Sequence, residues 1–135
     1  MDQSLEQWRP VAGYEGFYEI SNLGKVRSLA GERWNGQAMH FFKGRILRPQ
    51  SKSRYLHVVL SRDGKVKTKR IHQMVAEAFL PLCPGQQGRR RNCYHIDHIN
   101  NNPRDNRAAN LQWLTHRENT YIKPARRRDI AGKFI

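Results

Sequence analysis

The dipeptide Asp63-Gly64 constrains the fold of this chain more than any other sequence feature. It separates residues 55–60, whose β-branched content is typical of a strand, from residues 65–71, in which polar and apolar side chains alternate. Two strand-like segments joined by Asp-Gly predict a β-hairpin with a tight turn. Because successive side chains of a strand point to opposite faces, three lysines of the second strand are predicted to share one face: Lys65, Lys67 and Lys69.

This row of lysines has two interpretations, and both can hold together. Charged side chains on an edge strand prevent it from pairing with other chains, so the row can be a solvated edge. A two-stranded ribbon can also enter the major groove of DNA, and its outer face would then follow the phosphates. The sequence leaves both interpretations open.

Short β elements are predicted before this hairpin and a helix after it. Residues 8–29 contain turn signals at 13–16 and at 21–24, and these separate strand-like segments. Residues 30–43 are less regular and are predicted to be a loop or an insertion. Apolar residues at three- and four-residue spacing predict a helix that buries one face between residues 71 and 79.

The composition favours a polyanionic partner. The chain has 135 residues, with 25 Lys plus Arg against 11 Asp plus Glu and a formal net charge of +14. This length suits one domain, or two subdomains that share a modest core. Each phosphate neutralised by a basic side chain releases counterions, which favours binding to nucleic acid. No apolar run approaches the roughly 18 residues of a membrane span, so we expect no membrane partner.

The two cysteines, Cys83 and Cys93, are too few for a disulfide framework and lack CxxC spacing. We expect both to be thiols in a reducing cytosol. A zinc site that adds His72 or His95 would need further ligands that the sequence does not supply. His72 lies at the start of the predicted helix, a position more typical of a capping or interface residue than of a ligand.

The segment from residue 94 to residue 119 contains the side chains most suited to chemistry. Residues 95–97 are strand-like, residues 100–106 form an Asn- and Pro-rich turn region, and residues 111–114 can return as a second strand. Thr115 followed by a glutamate three residues later fits a capping box, so a helix is predicted to begin directly after it, at residue 116. The segment is therefore predicted to fold as strand, loop, strand and helix.

Three side chains of this arrangement can meet at one point. Asp97 and His98 end the first strand, and Asn119 lies one turn into the helix. An imidazole with an ordinary pKa of about 6.5 can accept a proton near neutral pH. One carboxylate and one amide oxygen suit Mg²⁺ or Mn²⁺ as ligands. Such a site is suited to phosphodiester hydrolysis.

These residues resemble the motif of the HNH endonucleases, especially the version found in phage and intron-encoded homing endonucleases. The resemblance is carried by Asp97-His98-Ile99, Asp105-Asn106-Arg107, Asn110-Leu111, Trp113 and Glu118-Asn119. The N-terminal part resembles the NUMOD4-like module that often precedes that nuclease domain. This second resemblance is carried by Trp8, Gly13-Tyr14-Glu15-Gly16 and Tyr18-Glu19-Ile20-Ser21-Asn22-Leu23-Gly24-Lys25-Val26-Arg27-Ser28.

The resemblance implies roles for four residues. It implies that Asp97 binds a single divalent metal ion, Mg²⁺ or Mn²⁺, and that His98 is the general base. It also implies that Asn110 braces the loop and helps to hold the base, and that Asn119 is the second metal ligand. The implied products have 5′-phosphate and 3′-hydroxyl ends. The family usually has glycine near Asn101, but asparagine tolerates the left-handed backbone that such a turn needs.

Pattern and resemblance together predict an α+β fold, in which a β-rich N-terminal region precedes a ββα-metal nuclease core. We expect residues 1–44 to form the N-terminal module and residues 45–82 to form the hairpin and a connecting helix. Residues 83–124 are expected to form the nuclease core, and residues 125–135 a basic tail.

Duplex DNA is the expected partner, hydrolysed by a metal-dependent endonuclease. The residues expected to bind it are Lys65, Lys67, Lys69, Arg89, Arg90, Arg91, His95, His116, Lys123, Arg126, Arg127 and Arg128. The expected setting is a phage-encoded, free-standing homing or accessory endonuclease in the cytoplasm of a bacterial host. The sequence leaves open whether the protein is a monomer or a homodimer, and hence whether it nicks or cuts both strands. A non-catalytic DNA-binding regulator and a basic RNA-binding protein are the alternative functions.

Overall fold

The computed structural model describes residues 5–51 and 53–122, with side chains as far as Asn119. The expected DNA contacts Lys123, Arg126, Arg127 and Arg128 lie outside the described residues. Within the described part of the chain, four small antiparallel sheets combine with two α-helices, so the α+β prediction is confirmed. No helix among these residues is long and apolar enough to cross a membrane.

An antiparallel sheet near the N-terminus has the strand order β1-β2-β3-β6. Its strands are β1 (Trp8–Pro10), β2 (Tyr18–Ser21), β3 (Val26–Ser28) and β6 (Arg45–Ile46). The predicted compact β structure in residues 8–29 is therefore confirmed. The buried hydroxyl of Ser21 accepts hydrogen bonds from the backbone N–H groups of Leu23 at 3.2 Å and Lys25 at 3.1 Å. These bonds hold the turn between β2 and β3 in one conformation.

Most of residues 30–43 form a β-hairpin, so the prediction of an irregular loop is wrong. Its strands are β4 (Gly31–Trp34) and β5 (Met39–Phe42), which pair antiparallel. The outer face of this hairpin carries three exposed apolar side chains: Trp34, Met39 and Phe41. An apolar outer face removes the polar-apolar alternation that identifies a half-buried strand, and this hid the hairpin in the sequence.

The hairpin predicted around Asp63-Gly64 is present, formed by β7 (His57–Arg62) and β8 (Lys65–Arg70). Residues directly opposite each other in such a pair share a face. The register sets Lys65, Lys67 and Lys69 opposite Arg62, Leu60 and Val58. The three lysines do share a face, but it is the face on which Val58 and Leu60 enter the core. The outer face of the ribbon instead carries Val59, Ser61, Val66 and Thr68.

Helix α1 (Ile71–Phe79) follows β8 directly, where the apolar spacing predicted it. Its buried face packs into one core cluster with residues from the sheets before and after it. That cluster contains Val11, Tyr18, Ile20, Val26, Val58, Leu60, Ile71, Met74, Val75 and Leu111. Because full burial of such a side chain stabilises a fold by about 1.5–3 kcal/mol, this shared core holds the N-terminal and C-terminal parts of the described chain together.

The remaining elements are β9 (Tyr94–His98), a 3₁₀ turn (Ala108–Asn110), β10 (Leu111–Thr115) and α2 (His116–Ile122). Strands β9 and β10 pair antiparallel, and α2 packs against β10. The predicted order of strand, loop, strand and helix is confirmed.

A capping box begins α2, as predicted. The hydroxyl of Thr115 accepts a hydrogen bond from the backbone N–H of Glu118 at 3.0 Å. In return, Glu118 Oε1 accepts a hydrogen bond from the backbone N–H of Thr115 at 3.0 Å. These reciprocal bonds satisfy two backbone donors that have no partner within the helix, which fixes where α2 begins.

Candidate active site

An acidic and an imidazole side chain lie next to each other at the buried end of β9. Asp97 is 3 % exposed and His98 is 5 % exposed. Gln112, the cross-strand neighbour of Asp97, donates a hydrogen bond from Nε2 to Asp97 Oδ2 at 3.0 Å. A buried carboxylate needs such donors because burial without hydrogen bonds is costly. Strand β10 thereby fixes one oxygen of the Asp97 side chain.

The imidazole of His98 is held by Asn106, which lies in the loop between β9 and β10. His98 Nε2 and Asn106 Oδ1 are 2.8 Å apart, and Asn106 is 4 % exposed. Because an amide oxygen can only accept a hydrogen bond, Nε2 carries the proton of the neutral ring. The basic lone pair of the imidazole is then on Nδ1.

Two further rings pack around His98. The Tyr55 ring lies nearly parallel to it, with ring centroids 5.9 Å apart and an interplanar angle of 18°. The His72 ring centroid is 5.4 Å from that of His98 and 4.7 Å from that of Tyr55. His72 is the second residue of α1 and is buried. No side-chain hydrogen bond caps the start of α1, so of the capping or interface position expected for His72, the packed position is the one observed.

Burial lowers the pKa of both histidines in this cluster. The pKa of His72 falls to about 4, chiefly because the ring is buried, and then because a positive charge on it would be repelled by Arg70 and by His98 whenever that ring is protonated. Burial also lowers the pKa of His98, although its hydrogen bond to Asn106 and neighbouring carboxylates act in the opposite direction. Both imidazoles are therefore neutral at pH 7, the state in which an imidazole can accept a proton.

Asparagine side chains close the loop between β9 and β10. Asn110 Oδ1 accepts a hydrogen bond from the backbone N–H of Asn100, and Asn110 Nδ2 donates to Asn100 Oδ1, each at 3.0 Å. Asn110 Nδ2 also donates to the carbonyl oxygen of Asp105 at 2.8 Å. Asn101 has a φ of 65°, so it adopts the left-handed backbone expected at this turn. Asn110 therefore bonds to both halves of the loop.

An ion pair between Arg107 and Asp105 adds further hydrogen bonds within the same loop. Arg107 donates from Nε and Nη2 to the Asp105 carboxylate at 2.8 and 2.7 Å, and Asn100 Nδ2 donates to Asp105 Oδ2 at 2.9 Å. These bonds, chiefly those from Arg107, lower the pKa of Asp105 to about 2. The Asp105 carboxylate is therefore ionised at neutral pH, and the bidentate contact with Arg107 fixes its orientation.

The first residue of α2 contacts the face of β9 that carries Asp97. His95 shares that face by alternation, and its ring centroid is 4.5 Å from that of His116, the first residue of α2. Asn119 follows three residues later, so its side chain shares a helix face with His116. Asn119 is half-buried.

The oxygen donors of this region fit a hard divalent cation. In the part of the chain that the structure describes, no group of three or more His, Cys, Asp or Glu residues is arranged to hold a metal. A cation here would depend on the carboxylate of Asp97 and the amide oxygen of Asn119, completed by water or substrate oxygens. Mg²⁺ is usually bound in this way, whereas zinc prefers Cys and His ligands. Cys83 and Cys93 are free thiols, as expected.

Strands β9 and β10 and helix α2 together form a ββα unit. The loop that contains Arg89, Arg90 and Arg91 lies beside this unit, and all three arginines are exposed. Two backbone hydrogen bonds hold it there: Tyr94 N donates to Gln86 O at 2.7 Å, and Arg117 N donates to Arg91 O at 3.2 Å. The loop thus borders the beginning of both β9 and α2. Lys65, Lys67 and Lys69 belong to a different hairpin, on the side that faces the core.

Sequence reasoning assigned no contact with the Asp97-His98 pair to four residues that make one. These are Tyr55 and His72 beside His98, Asn106 on its ring nitrogen, and Gln112 on the Asp97 carboxylate. Gln112 could have been found by pairing the two predicted strands in register. Asn106 carries a weaker signal, because asparagines are common in this loop and local spacing does not indicate which one reaches the imidazole.

Two families match successive parts of the chain. Residues 6–61 match the family described as the NUMOD4 motif. Residues 69–121 match the family described as HNH endonuclease, and this region includes the Asp97-His98 pair and Asn119. The two matches follow the order that the sequence resemblances predicted.

Individual relatives are similar over most of this chain. The DNA endonuclease I-HmuI of Bacillus phage SP01 is 32 % identical over 115 residues, which are 84 % of this chain and 55 % of the relative. An HNH endonuclease named L247 of Acanthamoeba polyphaga mimivirus is 30 % identical over 122 residues, which are 88 % of this chain and 26 % of the relative. The chain thus spans about half the length, or less, of these relatives.

A solved structure has a similar fold. It is described as DNA binding and cleavage by the HNH homing endonuclease I-HmuI, and it matches with a TM-score of 0.63 and 30 % sequence identity. The match covers 89 % of this chain and 59 % of that chain.

Proposed function

The chain belongs to the HNH endonuclease family, with a NUMOD4 motif before its HNH region, and we propose that it hydrolyses phosphodiester bonds of duplex DNA with the help of a divalent metal ion. The observation that carries this proposal is the buried Asp97-His98 pair, with the His98 ring fixed by Asn106 at 2.8 Å. A neutral imidazole held in one orientation is suited to this hydrolysis, because it can take a proton from the attacking water. The naming of the similar phage enzyme as a DNA endonuclease supports DNA as substrate.

In this proposal His98 is the general base. Its lowered pKa keeps the ring neutral at pH 7, and the proton on Nε2 leaves the lone pair of Nδ1 to take a proton from the attacking water. A positioned general base contributes roughly 10²–10⁴-fold to the rate. Asn110 holds the loop that follows His98 in one conformation through its bonds to Asn100 and Asp105.

Asp97 and Asn119 are the proposed metal ligands. Their hard oxygen donors match Mg²⁺ or Mn²⁺, and the contact between His95 and His116 supports their approach, because it brings the first residue of α2 against the face of β9 that carries Asp97. When bound, the cation would stabilise the charge on the phosphate and on the departing oxygen. Attack by water at phosphorus with loss of the 3′ oxygen would give 5′-phosphate and 3′-hydroxyl ends.

Basic side chains around the unit are the proposed DNA contacts. Arg89, Arg90 and Arg91 are exposed beside β9 and α2, where they can reach the phosphates that flank the cleaved bond. His95 and His116 border the same face, and the β8 lysines, of which Lys65 and Lys67 are exposed beyond the core, would extend the contact along the duplex. We propose that residues 1–44 and 45–82 serve mainly to bind DNA and that residues 83–124 cut it, within a bacterial cell that carries a phage-encoded enzyme.

Relaxation of supercoiled plasmid is the experiment that tests this function. The protein is incubated with plasmid in Mg²⁺, in Mn²⁺ or in EDTA, and His98→Ala is run beside it. His40→Ala, which removes an exposed histidine of β5, is the matched control. We expect open-circle or linear product with metal, no product in EDTA, a loss of at least about 100-fold in His98→Ala, and no change in His40→Ala.

Tight DNA binding without cleavage in any divalent metal would contradict the proposal and favour a non-catalytic DNA-binding regulator. Comparable affinity for structured RNA, again without cleavage, would favour a basic RNA-binding protein instead. If His98→Ala lost binding and cleavage equally, His98 would be structural rather than the base.

A further inference from the structure

The N-terminal module contacts the loop that orients the imidazole of His98. The backbone N–H of Ala108 donates a hydrogen bond to the carbonyl oxygen of Asn22 at 2.8 Å. Two residues later in the same turn, the backbone of Gly24 lies against Asn106. A Cβ atom at Gly24 would be 3.2 Å from both Cβ and the carbonyl oxygen of Asn106. The two segments therefore meet at the residue that holds the imidazole.

The turn that makes this contact is rigid. The buried hydroxyl of Ser21 accepts bonds from the N–H groups of Leu23 and Lys25, and its carbonyl accepts one from Gly24 N at 3.0 Å. The side chain of Asn22 is also held in place, since its Oδ1 accepts a hydrogen bond from the backbone N–H of Gln7 at 2.7 Å. A segment with this many internal bonds can act as a fixed support for a neighbouring loop.

The contacts of Asn106 indicate that its function is to accept a hydrogen bond from the His98 ring. It is 4 % exposed, and its Oδ1 faces His98 Nε2 at 2.8 Å. Its Nδ2 is buried and has no hydrogen-bond partner among the described residues. Among the described residues, the one side-chain hydrogen bond that Asn106 makes is therefore that of its oxygen with the His98 ring.

We propose that the turn of residues 21–25 in the NUMOD4 motif is part of the support of the active site, and that it acts through Asn106 to hold His98 in its Nε2–H tautomer. Asn106 is a positioning residue, and its contact with the backbone of Gly24 holds it in place. Gly24 is needed because a Cβ atom at this position would force Asn106 to shift by a few tenths of an ångström. The N-terminal module therefore supports the chemical step in addition to any contact it makes with DNA.

This inference rests on the proposed role of His98 as the base, and it can be tested separately from that role. Nitrogen-15 NMR of the histidine rings reports the tautomer of His98 directly, with His98→Gln used to assign its signals. We expect the Nε2–H tautomer in the wild type and a mixture of tautomers in Asn106→Ala. This measurement needs no cleavage, so it also decides the inference if the wild type fails to cut DNA.

Cleavage kinetics test the Asn106 contact. Asn106→Ala is expected to lower kcat by roughly 10–100-fold with little change in DNA affinity, as is usual when the residue that orients an active group is lost. Asn106→Asp retains an acceptor oxygen and should recover most of the lost kcat. If Asn106→Asp were as slow as Asn106→Ala, the acceptor role would be refuted.

Gly24→Ala tests the contact between the modules, and Gly16→Ala is its matched control. The two glycines have almost the same backbone strain, with φ of 88° and 86°, but a Cβ at Gly16 would meet no atom within 4 Å. We expect Gly24→Ala to lower kcat roughly 3–10-fold more than Gly16→Ala, since small displacements in an active site are costly. Thermal unfolding of both variants confirms that they are folded. Equal kcat and equal His98 tautomers in the two variants would overturn the proposal.

Discussion

His72 links the stability of this fold to pH at the scale of a single residue. Its ring is buried against Tyr55 and His98, with Arg70 nearby, and its pKa is lowered to about 4. In the unfolded chain the same imidazole has an ordinary pKa of about 6.5. Between these two values the unfolded state binds a proton that the folded state does not. The contribution of His72 to stability is therefore complete above pH 6.5 and declines as the pH falls toward 4.

Replacing this ring with one that cannot ionise should remove that decline. A pKa difference of about 2.5 units corresponds to about 3 kcal/mol, so the wild type should lose roughly that much more free energy of unfolding than His72→Phe between pH 7.5 and pH 4. His72 Nδ1 has no hydrogen-bond partner among the described residues. Replacing His72 by Phe therefore leaves no group there that has lost a hydrogen bond to Nδ1. Urea unfolding at a series of pH values measures the difference, and His40→Phe is the exposed control. Parallel pH profiles in wild type and His72→Phe would contradict this account.

The first turn of α2 determines where Asn119 lies, which is a property of the element rather than of one residue. Thr115→Val keeps the shape of the side chain but removes the hydroxyl that accepts from Glu118 N. Loss of such a cap costs about 1 kcal/mol, and the first turn of α2 should fray. If Asn119 binds the metal, the Mg²⁺ concentration for half-maximal cleavage should rise while kcat at saturating Mg²⁺ changes little.

The control for this prediction is Glu118→Gln, because a glutamine at this position also completes a capping box. Its Mg²⁺ titration should resemble that of the wild type. Circular dichroism reports whether Thr115→Val loses helix. A loss of helix together with an unchanged Mg²⁺ titration would show that α2 does not position a metal ligand.

Contact between two hairpin tips fixes β4–β5 against β7–β8. A Cβ at Gly64 would lie 2.5 Å from the Cα of Gly36 and 2.9 Å from the carbonyl oxygen of Asn35. Both obstacles are backbone atoms, which cannot move aside as a flexible side chain can. Gly64→Ala should therefore force the tips apart and destabilise the protein by about 1–3 kcal/mol beyond the strain of a left-handed alanine.

Denaturant unfolding of Gly64→Ala beside Gly13→Ala measures this extra cost. Gly13 has a comparable φ of 85°, but a Cβ there would meet no atom within 4 Å. If the two variants lost the same free energy of unfolding, the tip contact would not contribute to stability.

At the scale of the whole molecule, the net charge of +14 predicts strong salt dependence of DNA binding. Each phosphate contact that is lost lowers the slope of log K against log salt by about 0.9, so replacing Arg89, Arg90 and Arg91 by Gln should lower it by about 3 if each contacts a phosphate. The comparison variant replaces Lys43, Arg45 and Arg48, three exposed basic residues outside the ββα unit that are not among the proposed phosphate contacts. Equal slopes for both triple variants would mean that net charge, rather than the loop beside the site, determines affinity.

The sequence by itself determined the elements whose signals are local. The turn at Asp63-Gly64, the periodicity of α1 and the capping box of Thr115 each depend on side chains a few residues apart, so their chemistry acts before any distant part of the chain is folded. For the same reason the motif around Asp97 and His98 could be identified, because its residues are adjacent or lie at fixed spacing within one strand–loop–strand–helix unit.

Only the tertiary structure decided which face and which partner each side chain has. The β8 lysines share a face with Val58 and Leu60 because the core sets the orientation of the hairpin, which alternation alone does not specify. The apolar outer face of residues 30–43 concealed a hairpin that contacts a second hairpin through its tip. The contacts of Asn106 with His98 and Gly24 join segments far apart in sequence, and such contacts arise only when a shared core brings those segments together.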